Sequence, residues 1–202
     1  MIFETKRLIL RPWELSDAES LYRYARDPKV GPIAGWPVHT SVENSRDIIK
    51  NVLSAPETYA TVLKETNEPV GSVGLMIGDK SNIKLPDTEC EVGYWLGVPY
   101  WGQGLIPEGV RCLMQHAFET LKMEKLWCGY FDGNLQSRRV MEKCGFTYHH
   151  TSEHVSCAIE GVFRTEHVTC ITKEEWKQMK KSEEELRKEK EYWRQVWQLH
   201  CC

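Results

Sequence analysis

The sequence has no run of about 18 apolar residues, the length a helix needs to cross a bilayer. Its opening, MIFETKRLILRPW, lacks the apolar stretch and small-residue cleavage site of a secretory signal. No membrane span is expected, and a cytoplasmic location is. There is no excess of positive charge either: the net charge is −3 over 202 residues and no long basic patch appears, which argues against nucleic acid as the main ligand. The eight cysteines (Cys90, Cys112, Cys128, Cys144, Cys157, Cys170, Cys201 and Cys202) form no C-x-x-C and no paired metal-ligand spacing. In a reducing compartment they read as small buried hydrophobes, and no metal site is expected. His150 and His154 do have an H-x3-H interval, but in a strand four residues span ~13 Å, too far to share an ion. No repeat or low-complexity linker interrupts the chain.

What is present is globular usage, with 41% hydrophobic, 27% charged and 10% aromatic residues, in a length suited to one core. Residues 7–13 alternate Leu8 and Leu10 with Arg7, Ile9 and Arg11 ahead of a proline, which predicts an opening strand at a sheet edge. Two helices follow, each behind a capping-box pattern: Ser16-Asp-Ala-Glu19 and Thr40-Ser-Val-Glu43. Between them, DPKVGPIAGWPVHT is too rich in Pro and Gly for helix or central strand, and its apolar content suits a loop that lines something. Strands over 59–64, 70–77 and 89–98 then form an antiparallel meander. A helix from about Pro107 to Leu121 aligns Val110, Leu113, Met114, Ala117, Phe118 and Leu121 in one stripe. After it come a strand over 125–131, a short helix over 135–143 ended by Gly145, and strands over 146–155 and 163–171. The fold class is α/β of the α+β kind, with a mixed sheet and flanking helices.

From Lys173 the composition shifts to KEEWKQMKKSEEELRKEKEYWRQVWQLHCC, which predicts a charged terminal helix. The division expected is a domain over 1–172 and a helical extension over 173–202. Trp176 and Trp193 are expected to dock that helix, while Met179, Leu186 and Trp193, spaced seven apart, offer a narrow seam for a possible homodimer.

The segment GYWLGVPYWGQGLIPEGVRCLMQHAF carries the most chemistry. An apolar strand runs into Gly102-Gln103-Gly104 and then directly into an amphipathic helix. Successive backbone N–H groups and the positive end of the helix dipole converge there, and glycine lets a phosphate approach the main chain. No GK[ST] follows and position 107 is Pro, so it is neither a P-loop nor a GxGxxG fingerprint. By itself it reads equally as a tight turn. Asn134 likewise reads as a helix N-cap and Ser137 as a surface hydroxyl.

Taken together, TKRLILRPWELSD, EVGYWL, PYWGQG with Glu108 four residues after its last glycine, and NLQSRRVMEKCGF resemble the GNAT superfamily of N-acetyltransferases, in its ribosomal-protein-alanine N-acetyltransferase-like branch. The match in order and spacing runs across roughly residues 5–171. The resemblance implies a central sheet with one splayed strand pair and acetyl-CoA as cosubstrate. It implies that Trp101, Gly102, Gln103, Gly104, Leu105 and Ile106 form the pyrophosphate loop, and that the pantetheine arm pairs with the strand end at Leu96 and Val98. Asn134 would bond the pantetheine and Ser137 would lie near the sulfur. Ile106 departs from the family's usual Gly or Ala, and Pro107 removes one N–H, so the cradle would rest on amides of about residues 102–106.

The chemistry needs a base for a protonated amine, an N–H for the oxyanion and a proton donor for the thiolate. The resemblance points to Glu91 as base, Ser137 as acid and a backbone N–H near Leu96 as oxyanion donor. Glu89 lies on the same strand face as Glu91; the competing reading of both is a solvated edge-strand carboxylate. Trp36, His39 and Glu160, with Cys157 beside it, are the weaker acceptor-contacting candidates. The expected partner is an amine acceptor, either a peptide N-terminus or a small molecule. Two other classes fit the same residues: a non-catalytic CoA-binding sensor or interaction module, motivated by Ile106, Pro107 and the charged tail, and a nucleotide-binding protein using the glycine turn.

Overall fold

The computed structural model describes residues 1–200, without the side chains at 195, 196 and 198–200; Cys201 and Cys202 lie outside the described residues. One eight-stranded sheet runs β1-β2-β3-β4-β5-β6-β8-β7. Its strands are β1 (Phe3–Glu4), β2 (Leu8–Arg11), β3 (Thr58–Leu63), β4 (Glu68–Ile77), β5 (Glu89–Leu96), β6 (Lys125–Phe131), β7 (Thr147–Ser156) and β8 (Phe163–Thr172). All neighbours pair antiparallel except β5 and β6, which are parallel. The helices are α1 (Ala18–Ala25), α2 (Val42–Ile48), α3 (Leu105–Gln115), α4 (Leu135–Lys143) and α5 (Lys173–His200).

The expected α+β fold is therefore present, with corrections at its margins. The opening strand is not at an edge: the two-residue β1, too short to show a period, pairs outside it. Both capping boxes sit elsewhere. Ahead of α1 it is Asp17 that accepts the Glu14 N–H, at 2.9 Å, while Arg11 grips the same carboxylate at 2.7 and 2.8 Å; Ser16 bonds only Glu14. Ahead of α2 the cap is Ser41, one residue late, accepting the Asn44 N–H at 3.0 Å while Asn44 accepts that of Thr40. Both shifts have one cause, a competing polar side chain one residue along that also reaches the free amides.

Alternation divides the sheet into two faces. Cys90, Val92 and Leu96 of β5 join Leu126 and Cys128 of β6 in a core covered by Leu105, Val110, Leu113 and Met114 of α3 and Met141 of α4. On the other face Ala60 and Val62 meet Trp13, Leu21, Ala25 and Ile49, with Trp95 packed against them. Burying each of these large side chains stabilises the fold by roughly 1.5–3 kcal/mol.

The tail docks by its first turns only. Trp176 is buried against Phe118 with ring centroids 5.0 Å apart, and Lys180 pairs with Glu119 at 3.2 Å. Trp193, expected to dock, is instead 55% exposed, and Leu186 is exposed as well. Of the three seam residues, Met179 alone lies against the core.

Candidate active site

β5 and β6 pair only at their beginnings, Glu89 with Lys125, Cys90 with Leu126 and Glu91 with Trp127. Beyond that rung they part, while β6 stays paired to β8 as far as Phe131. Side chains occupy part of the opened edge. Cys128 Sγ lies 3.2 Å from the Val92 carbonyl, and the Trp101 indole N–H donates to the Leu96 carbonyl at 2.7 Å. The Gly97 N–H donates back to Val70 O of β4 at 2.8 Å. Alternation then turns the N–H groups of Leu96 and Tyr94 toward the opening. Those amides are the ones a bound arm can pair with; the Leu96 carbonyl is taken by Trp101, and the Val98 carbonyl accepts the Trp101 main-chain N–H at 3.1 Å.

The glycine turn lies at the end of this opening. Gly102 and Gly104 have φ of 76° and 74°, a region that L side chains avoid. A Cβ at Gly102 would meet nothing within 4 Å, and one at Gly104 only Arg7 Nη2 at 3.8 Å. The space above the loop is open, and it fits a phosphate group. Gly104 is itself the N-cap of α3, so the helix begins two residues earlier than Pro107. Leu105 and Ile106 are buried in the core and present only their backbone amides to the loop. Ile106 therefore does not obstruct it, and Pro107, third in the helix, sits where an N–H has no intrahelical partner to lose. Gln103 folds its side-chain amide back onto the Pro99 carbonyl at 3.1 Å.

Arg7 ties this turn to the sheet. Its Nε donates to Glu108 at 2.7 Å, its main-chain N–H to the same carboxylate at 2.8 Å, and its Nη1 to the Gln103 carbonyl at 2.9 Å; Thr5 adds a bond to Glu108 at 2.6 Å. Burial pushes the Glu108 carboxyl up, but the bonds from Thr5 and Arg7 outweigh it and hold the group below the usual carboxylate range. The pair joins residues a hundred positions apart, and nothing in either segment alone announces it.

Across the opening stands α4. Asn134 caps it, accepting the Ser137 N–H at 3.2 Å, which leaves the Asn134 amide nitrogen as a donor. The Ser137 and Tyr94 hydroxyls lie 2.9 Å apart, and Tyr94 also donates to the Ser137 carbonyl at 3.1 Å. Burial drives the Tyr94 phenol well up, so it stays protonated. Tyr94 was not singled out from the sequence, where it reads as one more aromatic in a strand.

The opposite face carries the carboxylates. Glu91 is buried in an interior strand, not solvated at an edge. It accepts bonds from Ser81 Oγ and the Asn82 N–H, both at 2.8 Å, and from Asn82 Nδ2 at 3.3 Å. Glu89, half-buried, accepts the Trp127 indole N–H. On the same face Trp95 lies between Trp13 and Trp36, each 6.1 Å away. The Pro/Gly loop reaches over to β6, where Gly35 abuts the Phe131 ring and Cys157. His39 is buried under this loop and bonds Ser45 Oγ at 2.8 Å, and burial lowers its pKa; its contacts are those of a loop anchor. Glu160 is exposed in the β7–β8 loop.

Among the described residues no group of three His, Cys, Asp or Glu side chains is placed to hold a metal, and no helix is long and apolar enough to cross a membrane. Residues 7–147 match the family model described as Acetyltransferase (GNAT) domain. The chain is 31% identical over 147 residues to the "Uncharacterized N-acetyltransferase p20" of Bacillus licheniformis, covering 70% of this chain and 80% of that one. In fold it is similar to an acetyltransferase (GNAT family) from Bacillus anthracis, with a TM-score of 0.74 at 21% identity over 86% of this chain and 99% of the other. It is also similar to RimJ of Mycobacterium smegmatis in complex with CoA-disulfide, with a TM-score of 0.67 at 20% identity over 83% of each chain. The ribosomal-protein-S5-alanine acetyltransferase of Vibrio fischeri has a TM-score of 0.67 at 19% identity, over 87% of this chain and 98% of that one. A family model that spans most of the chain, on a sheet that parts beside a glycine-capped helix, means that this protein belongs to the GNAT acetyltransferases.

Proposed function

We propose that this chain moves an acetyl group from acetyl-CoA to a primary amine by direct attack in a ternary complex. The observation that carries the reading is the parting of β5 from β6 after the Glu91–Trp127 rung. It opens a passage between a face with anion-binding amides and hydroxyls and a face with carboxylates and aromatic rings. Acetyl-CoA supplies the acetyl group as a thioester. The amides of residues 102–106 and the Arg7 guanidinium beside them offer the pyrophosphate site, and the Tyr94 and Leu96 amides and the Asn134 side chain offer bonds for the pantetheine. The Leu96 N–H is the donor available to the oxyanion, and the Ser137–Tyr94 hydroxyl pair is the proton source for the departing thiolate.

On the other face Glu91 supplies fixed negative charge for an incoming ammonium, with Trp36, Trp95 and Trp127 as apolar walls. This combination suits a cation carried on an apolar or flexible stem. Both a protein N-terminus and a small-molecule amine meet that description, and the likeness in fold to the Vibrio fischeri enzyme supports including N-terminal peptides in the test. The absence of a membrane-spanning helix among the described residues fits work in the cytoplasm. Of the motives for a non-catalytic CoA-binding module, Ile106 is buried in the core and leaves the loop open, which supports the catalytic reading over it.

The test is release of free thiol from acetyl-CoA across a panel of small amines and N-terminal peptides, with acetylated products identified by mass. Transfer to at least one amine, well above hydrolysis, is the expected result. Binding of acetyl-CoA without transfer to any of them would leave only the binding module.

A further inference from the structure

A second carboxylate, Glu166 of β8, belongs to this face and was not singled out from the sequence. It pairs in register with Phe131 of β6, while Gly129, the neighbour two residues back on β6, opposes Val168. The Glu166 side chain leans along its strand onto Gly129: a Cβ built at 129 would collide with its Oε1 and Cδ. Gly129 lies two residues past Trp127, which forms the last rung with Glu91. Strand spacing and rise then put the Glu91 backbone and the point beneath the Glu166 carboxylate roughly 8 Å apart, on either side of the place where the strands part. The two carboxylates share a face, since Glu91 pairs in register with Trp127, and Phe131, four residues on along the same side of β6, pairs with Glu166.

Their surroundings differ. Three donors occupy the Glu91 oxygens. No donor among the described residues bonds the Glu166 carboxylate, and its oxygens are not sealed in, since among those residues the one fully buried side-chain polar atom without a partner is Thr61 Oγ1. The charged or titratable groups that flank it on the surrounding elements are Glu89 on β5, Lys125 over the Trp127 ring at 4.9 Å, Arg164 over the Phe131 ring at 5.4 Å, His149 of β7 against Trp127, His150 of β7 opposite Val168, and Cys157 beside Gly35.

Building on the acetyl-transfer reading, we propose that Glu166, and not Glu91, is the base that takes the proton from the acceptor amine, with Glu91 as the fixed charge that holds the ammonium. A base must have free lone pairs, contact with water to discharge its proton, and a place at the mouth of the passage, and Glu166 combines all three. Burial pushes its carboxyl up to about 6, and the Glu91 charge pushes it the same way, which keeps it ionised at neutral pH yet a ready acceptor. In the step, one proton passes from the ammonium to Glu166, and the nitrogen lone pair forms the N–C bond while the C–S bond breaks. The second nitrogen proton ends on the sulfur, and Glu166 releases its own to water; nothing is oxidised or reduced.

Three variants test this with the full chain, acetyl-CoA, and a probe panel of spermidine and N-terminal peptides. Glu166→Gln should lower kcat about 10²-fold or more with acetyl-CoA Kd unchanged. Gly129→Ala adds one methyl where the carboxylate now lies, and should lower kcat about tenfold in the wild type but not further in Glu166→Gln. Glu91→Gln should raise the amine KM and move the acid limb of the kcat/KM profile to lower pH, because it removes the charge that raises Glu166. Carbon-13 titration of the Glu166 carboxyl in protein alone should show the same downward move. Wild-type kcat in Glu166→Gln, or an acid limb that ignores Glu91→Gln, overturns the assignment while leaving acetyl transfer intact. Failure of the wild type to acetylate any probe overturns the underlying reading, and the assignment with it.

Discussion

Gly104 holds a φ of 74° beneath open space, and both facts make it a test of the cradle. Gly104→Ala should cost about 1 kcal/mol of stability through the left-handed backbone, and Gly104→Val should also place branched atoms where a phosphate must meet the amides. The expected outcome is an acetyl-CoA Kd raised at least fivefold by Gly104→Val, read by calorimetric titration of a variant that still melts cooperatively. Ser137 and Tyr94 form the other residue-scale test. A thiolate is a good leaving group and water can replace a lost donor, so Ser137→Ala and Tyr94→Phe should each lower kcat only ~10- to 10²-fold at saturating acetyl-CoA. A tenfold rise in CoA Kd with kcat intact would make Ser137 a positioning group instead. Ser137 and Asn134 were legible in the sequence because their spacing at a helix start is a local pattern. Tyr94 was not, because only the approach of α4 to β5 distinguishes it from Tyr130 or Tyr148.

At the scale of elements, α3 is anchored by Glu108, which Thr5 and Arg7 hold below the usual carboxylate range despite burial. A depressed carboxylate stabilises the fold above its unfolded pKa and loses that contribution as pH falls through the folded value. Melting temperature should therefore fall between roughly pH 5 and 3, and less steeply in Glu108→Gln, which at neutral pH should cost about 1 kcal/mol given the exposure of Arg7. Equal slopes for the two proteins would mean that the tie does not help the fold. The tail makes the opposite test. Removing residues 184–202 takes away a part that touches little of the body, and melting should barely change. Removing 173–202 also strips Trp176 from Phe118 and should cost about 3–5 kcal/mol. Sedimentation of the same chains reads the possible seam: equal mass for full-length and shortened forms excludes a dimer built on α5. The helix and its docking by Trp176 were legible in the sequence; the exposure of Trp193 was not, because composition marks a helix without saying how far along the body beneath it extends.

For the molecule as a whole, a ligand that binds only the folded chain adds RT ln(1 + [L]/Kd), so acetyl-CoA at a hundred times its Kd should stabilise the protein by ~2.7 kcal/mol. A melting curve unmoved by millimolar acetyl-CoA would contradict the reading of the cradle. The order of elements, the apolar stripe of α3, the glycine turn before it and the Asn134 cap follow from the sequence by itself, because periodicity, backbone freedom and capping act between residues a few positions apart. The parting of β5 from β6 is implied by the family resemblance and not by periodicity, while the Arg7–Glu108 tie and the meeting of Glu166 with Gly129 beside Glu91 were decided only by the tertiary structure. Alternation along a strand says which face a side chain takes; it does not say which strand lies next to it, and β8 reaches its place between β6 and β7 only when the sheet assembles. The charge on Glu166 is set in the same way, by burial and by a carboxylate 75 residues earlier in the chain, two quantities that do not exist until the chain has folded.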